Sequence, residues 1–130
     1  MSSHLTRDDI DKFEKLQSQL LSTHDEVSLL SKKSPNDGIN KFKLHFTNSL
    51  IGQCNKLLPE EYHPFADFNA FSEDDIPTNS DVAFMVSQYL AACEKWRADN
   101  IKMVQGLYFW RLEDDTARVR TAPPKKLKGD

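Results

Sequence analysis

Large apolar residues recur along most of this chain at alternating steps of three and four, the spacing that keeps side chains on one side of an α-helix. The longest such run extends from Thr78 to Leu112 and carries Val82, Val86, Tyr89, Cys93, Trp96, Met103, Leu107 and Trp110, with Asn100 as the single interruption. It predicts a helix over Ser80 to Leu112. Phe84, Leu90, Ile101 and Tyr108 lie off this stripe, so the helix is apolar on more than one side and calls for more than one packing partner. Thr78 and Asp81 are spaced as a capping box, with Asn79 and Ser80 as alternative caps, and the acidic run Glu73-Asp74-Asp75 lies where carboxylates suit a helix start.

An earlier helix is expected from Thr6 to Ser31. Thr6 and Asp9 have capping-box spacing, Leu5 and Ile10 that of a hydrophobic staple. The apolar seam continues through Phe13, Leu16, Leu20, Val27 and Leu30, with Thr23 as its polar member, and Pro35-Asn36-Asp37-Gly38 ends it with turn chemistry. A short connection favours an antiparallel neighbour. The second helix is placed at Ile39 to Leu58, on a stripe of Ile39, Phe42, Phe46, Leu50, Cys54 and Leu57. Lys41 to Phe46 also alternates with period two, but no strand of similar character lies nearby, so helix is preferred. Gly52 weakens that helix by about 1 kcal/mol, a cost explained by a neighbouring backbone passing close.

From Pro59 to Asn79 three prolines punctuate the chain, and Tyr62, Phe65, Phe68 and Phe71 recur at every third residue. That spacing suits one or two short helical turns whose rings lie over the core as a lid. The alternative is an exposed binding surface.

Composition narrows the class. The chain has 130 residues, of which 38% are hydrophobic and 28% charged, enough for one core. A net charge of −3 argues against wholesale coating of nucleic acid or an anionic membrane. No apolar run is long enough to span a bilayer and the first residues lack a signal-peptide core, which makes the cytoplasm the expected compartment. Cys54 and Cys93 lack any Cys-x-x-Cys spacing and fall on apolar stripes, as buried reduced thiols do. The charge is uneven: Thr116 to Asp130 carries +4, leaving −7 for the rest of a chain whose total is −3. With Pro123-Pro124 and little to bury, residues 116–130 read as a flexible basic tail on a single helical domain of residues 1–115.

The chemistry expected of a hydrolase, a phosphate-binding loop or a zinc site is missing at sequence level. Four histidines are scattered one per segment, giving no metal site and no cofactor motif. Glu60, Glu61 and His63 form the one compact acid-base cluster, whose plainer reading is a solvated helix start after Pro59. Asn100 either fixes register with a partner or marks where the long helix leaves its own core. On the second reading Met103, Val104, Leu107, Tyr108 and Trp110 project toward another chain. Arg118, Arg120, Lys125, Lys126 and Lys128 are the candidate nucleic-acid contacts, or they meet an acidic protein surface.

These readings combine into an all-α fold: a three-helix bundle with a long C-terminal helix and short helical turns before it. The function expected is a non-enzymatic protein-protein interaction module, an accessory or regulatory subunit that binds another chain or a second copy of itself. A nucleic-acid-associated regulator using the basic tail is the alternative, and a small enzyme whose site assembles only in the fold is the third.

Overall fold

The computed structural model describes residues 5–114 and 118–125. Three helices, α1 (Arg7–Lys33), α2 (Lys41–Leu57) and α3 (Asn79–Asp99), precede an antiparallel sheet of β1 (Ile101–Val104), β2 (Leu107–Trp110) and β3 (Arg120–Thr121) in that order. One 3₁₀ turn, Glu60–Tyr62, lies between α2 and α3.

Local chemistry sets the ends of the helices. At the start of α1, Thr6 Oγ1 accepts from the Asp9 N–H at 3.2 Å, and Asp9 Oδ2 accepts from the Thr6 N–H at 2.9 Å, so two otherwise orphan donors are satisfied reciprocally. Asn40 caps α2 by accepting from the N–H groups of Phe42 and Lys43, and Thr78 caps α3 by accepting from the Asp81 N–H. The α1–α2 connection is clasped by the segment before α3. Ile39 N–H donates to Pro77 O and Asn79 N–H to Asp37 O, each at 2.9 Å, while the buried Asn79 amide donates to Ser34 O. Two loops that would each expose backbone groups pair with one another instead.

The core lies between α1 and α3. Ile10, Phe13, Leu16, Leu20 and Val27 of α1 meet Val82, Val86, Tyr89, Cys93 and Trp96 of α3, with Leu44, Ile51 and Cys54 of α2 closing the side. At its lower end Phe13 touches both tryptophans, with ring centroids 4.9 Å from Trp96 and 5.4 Å from Trp110. Cys54 and Cys93 are fully buried free thiols, close enough to interact. That contact, together with burial, pushes the Cys54 thiol far above its ordinary value and keeps it protonated.

The all-α expectation fails beyond Asp99, because the third helix stops there and the chain continues as a sheet. Asn100 ends the helix: its backbone leaves helical geometry at φ −117°, ψ 17°, and its side-chain amide donates back to Trp96 O at 2.7 Å. Gln105 at φ 52° and Gly106 at φ 81° then form a two-residue turn with both central residues left-handed, the backbone of a type I′ hairpin. Gly106 adopts that geometry freely, and β1 and β2 pair from Ile101↔Trp110 to Val104↔Leu107. The long C-terminal helix is therefore a shorter helix plus a hairpin. Trp110 still reaches the core, because its strand folds back beside the end of α3.

Three narrower expectations also change. Phe42 and Phe46 leave the buried stripe of α2, being 72% and 53% exposed, and Leu44, Thr47 and Ile51 take the inward face. No neighbouring backbone approaches Gly52, where an added Cβ meets nothing within 4 Å. The four-ring lid is divided: Tyr62, Phe68 and Phe71 pack against the core, whereas Phe65 stays exposed and stacks loosely on Phe84 at 6.3 Å.

Residues 118–125, read from sequence as part of a mobile tail, are tied to the body. β3 pairs with β2 at Tyr108↔Thr121 and Phe109↔Arg120. Beyond it the chain is held by a buried ion pair on α3. The Arg97 guanidinium grips both oxygens of Glu94 at 2.9 and 2.8 Å, and also donates to Thr121 Oγ1, Ala122 O and Pro123 O. All five guanidinium N–H bonds are thereby used, and the Lys125 N–H completes the latch by donating to Glu94 at 2.9 Å. No helix among the described residues is long and apolar enough to cross a membrane.

Candidate binding surfaces

Hollows between α1 and α2 join into a groove that reaches α3 at one end. Its wider end is a hollow of about 860 Å³ whose wall includes Leu5, Leu16, Leu57 and Trp96, with Lys12, Lys15, Lys56 and Asp9 around it. Gln19 and Gln53 carry it into a second stretch bordered by Thr23, Leu50 and Phe46, which runs on to Phe42, Lys43 and Glu26. From Leu5 to Glu26 it follows α1 for about 30 Å at the helical rise of ~1.5 Å per residue.

Phe42 and Phe46 border the narrower end. They stand one helical turn apart and meet edge to face at 5.0 Å, and His45 packs edge-on against Phe46 at 5.2 Å. Two adjacent phenyl rings more than half exposed form an apolar patch that this chain leaves uncovered. Beside them Lys43 Nζ pairs with Glu26 at 2.6 Å across the groove, which keeps this end neutral. The other end is cationic: Lys15 and Lys56 have no ion pair among the described residues, and Lys12 has one exposed partner, Asp8, at 3.0 Å.

The residues singled out at the end of the expected long helix are dispersed. Asn100 is a helix cap, and Trp110 is core, 1% exposed. Cross-strand pairing puts Met103 and Tyr108 on the face shared with Ile101 and Trp110, and Val104 and Leu107 on the opposite one. Met103 and Leu107 remain exposed at the hairpin tip. Of the basic candidates, Arg118 and Arg120 lie on or beside β3, and Lys125 is exposed beyond it. Lys126 and Lys128 lie outside the described residues.

The acid-base cluster has structural work. The His63 Nε2 sits 3.1 Å from Asn55 O and 3.0 Å from Leu58 O, so it carries a proton and caps carbonyls at the end of α2. Glu60 and Glu61 point to solvent on the 3₁₀ turn. Tyr62 instead reaches α3, its hydroxyl donating to Asp99 Oδ2 at 2.7 Å. The hydrogen bond to that carboxylate, then partial burial, push the phenol up to about 12. No three His, Cys, Asp or Glu side chains converge as metal ligands among the described residues.

Phe42 and Phe46 were visible in the sequence, but a six-residue stripe that includes them looks as core-like as any other. Their exposure follows from the phase of α2, which Leu44, Ile51 and Cys54 set by packing inward. Comparison with family models, curated proteins and solved structures returned no match to this chain.

Proposed function

We propose that the protein is a non-enzymatic interaction module, an accessory or regulatory subunit that grips an amphipathic helix of a partner protein in the α1–α2 groove. The exposed Phe42–Phe46 pair beside a groove about 30 Å long carries this reading. A helix laid in a groove is recognised by apolar residues at i, i+3, i+4 and i+7. Here such a stripe covers Phe46, Leu50 and Leu57, and acidic residues on its flanks meet Lys12, Lys15 and Lys56. Charge complementarity of this kind sets orientation and speeds encounter more than it deepens affinity. Self-association through an extended third helix is not part of the proposal, since that helix ends at Asp99.

An isotope-edited NMR titration tests the reading with a leucine-striped helical peptide bearing glutamates on both flanks. Amide shifts are expected along Phe42, Phe46, Gln53 and Leu57, and F42D/F46D should weaken binding at least tenfold, the loss of about 1.4 kcal/mol. A lysine-flanked peptide of the same stripe should bind less well. Sedimentation at matched concentrations adds a check: a wild-type dimer dissolved by F42D would identify a second copy as the occupant and displace the partner helix.

A further inference from the structure

Pairing across the sheet aligns Lys102 of β1, Phe109 of β2 and Arg120 of β3 in one row on the same face. It is the outer face, because the alternate row holds the buried Ile101 and Trp110. Arg118 joins it, its guanidinium carbon 5.5 Å from the centroid of the Phe109 ring, within range of a cation–π contact. Three cations therefore surround one half-buried aromatic ring, and none of the three makes an ion pair among the described residues. In a chain of net charge −3 this is a concentration of positive charge with no carboxylate in its row, the nearest named one being Glu14, across the hollow that Arg120 borders.

The cluster is also held in place. Arg118 and Arg120 belong to a segment that Arg97 and Glu94 fasten to α3 through Thr121, Ala122, Pro123 and Lys125. Their backbone is ordered before any ligand arrives, so binding does not bear the cost of folding a tail.

We propose that this outer sheet face binds single-stranded nucleic acid, a base stacking on the Arg118–Phe109 pair while phosphates meet Lys102 and Arg120. Stacking platforms flanked by cations recognise single strands in this way, because every base offers a π-face and every linkage a negative charge. Lys102 and Arg120 lie two strands apart, about 10 Å at the strand spacing of ~4.8 Å, and so reach phosphates on either side of a stacked base. A duplex hides its base faces, so the ring has nothing to stack on there. The site is separate from the α1–α2 groove and does not depend on it.

Fluorescence anisotropy of labelled oligothymidylate and oligouridylate, each about 12 nucleotides long, tests this against a duplex of equal length and against inorganic polyphosphate as competitor. Both single strands should bind at low salt, and the duplex more weakly. Phe109→Leu should weaken binding about tenfold while far-UV circular dichroism stays unchanged. Lys102→Gln and Arg120→Gln, which remove the two phosphate-facing charges from the outer sheet face, should each flatten the salt dependence by about 0.7 in the log–log slope. The proposal fails if single strands are not retained at low salt, or if the duplex or polyphosphate competes as well as a single strand. It also fails if both charge variants leave the slope unchanged. F42D/F46D should not alter nucleic-acid binding, so failure here is distinguishable from failure of the helix-binding groove.

Discussion

Helix α3 and the hairpin that follows it bury the same kinds of side chain by different means. Between Asn79 and Asp99 the backbone hydrogen bonds close within the helix, and Val82, Val86, Tyr89, Cys93 and Trp96 reach the core from one continuous face. From Ile101 to Trp110 the bonds run between strands, and only Ile101 and Trp110, the pair nearest α3, are buried. A two-stranded hairpin is marginal alone, so this one depends on a third strand and on the Arg97–Glu94 latch that holds it. The helix carries its own order, whereas the sheet borrows order from the helix.

Removing the loan should have the largest effect. Arg97→Ala leaves Glu94 as a buried carboxylate with its main partners gone, a change that costs about 3–5 kcal/mol in comparable buried pairs. Urea denaturation measures it, and a loss below about 1 kcal/mol would mean that the latch behaves as a surface pair. Acidification should act on the same contact. Burial pushes the Glu94 carboxyl up, but hydrogen bonds from Arg97 and the Lys125 N–H, with their charges, outweigh it and hold the group below its ordinary value. A depressed carboxylate stabilises the fold above its unfolded pKa of about 4.3, and that contribution is lost as pH falls through the folded value. Glu94→Gln should therefore flatten the decline of stability below about pH 4.3.

Next in size is the turn that separates the two regions. Space around Gly106 is open, so a substitution there acts through its positive φ alone. Gly106→Val places a β-branched residue in that conformation and should cost about 1–3 kcal/mol, with helical ellipticity unchanged. Deeper ellipticity at 222 nm in this variant would show that residues 101–110 take the helix their spacing allows.

That spacing explains what could and could not be read from the chain. Thr6 with Asp9, Thr78 with Asp81 and the Pro35–Gly38 turn act over three or four residues, so their chemistry is local and the helix starts were legible. Steps of three and four cannot separate a helix from a short hairpin when the apolar run crosses a turn. Met103, Leu107 and Trp110 fit either, and Gly106 was the one residue that distinguished them. Asn100 was noticed for its polarity, although its role is to end α3. The latch was invisible because Arg97 bonds residues as far away as Pro123, and charged residues next to an apolar stripe are ordinarily solvated. Of the candidate surfaces, Arg118 and Arg120 were named from charge alone. Phe109 and Lys102 join them only through strand register, while Phe42 and Phe46 took an exposed position that periodicity assigned to the core.

Gly52→Ala makes a smaller change in the opposite direction. An added Cβ meets nothing within 4 Å in α2, so the substitution should stabilise the protein by about 0.5–1 kcal/mol through helix propensity and a less free unfolded chain. Thermal denaturation would detect it as a higher midpoint, and a loss of stability would show that the α1–α2 face around Gly52 is covered in solution.

The smallest effect reports on the point where helix gives way to sheet. Tyr62 donates to Asp99, the last residue of α3, and this bond holds the 3₁₀ turn against the helix end. The bond favours the neutral phenol, so the folded pKa rises from the ordinary 10.0 to about 12. For an acid stabilised in its protonated form, the stabilising contribution is complete below the unfolded value of about 10, and it disappears as pH climbs through the folded one. Absorbance of tyrosinate near 295 nm follows the titration directly. Tyr62 should ionise with a midpoint near 12, and Tyr62→Phe should remove one tyrosine's share of the late absorbance, leaving that of Tyr89, whose phenol burial also pushes up. Asp99→Asn should shift the Tyr62 midpoint back toward 10 while leaving the phenol in place, because the hydrogen bond accepted by the carboxylate is the main cause of the rise, with burial and the carboxylate's charge behind it. If Tyr62→Phe leaves the late absorbance undiminished, the phenol does not reach Asp99, and the end of α3 lacks the external clamp that sets it apart from the hairpin.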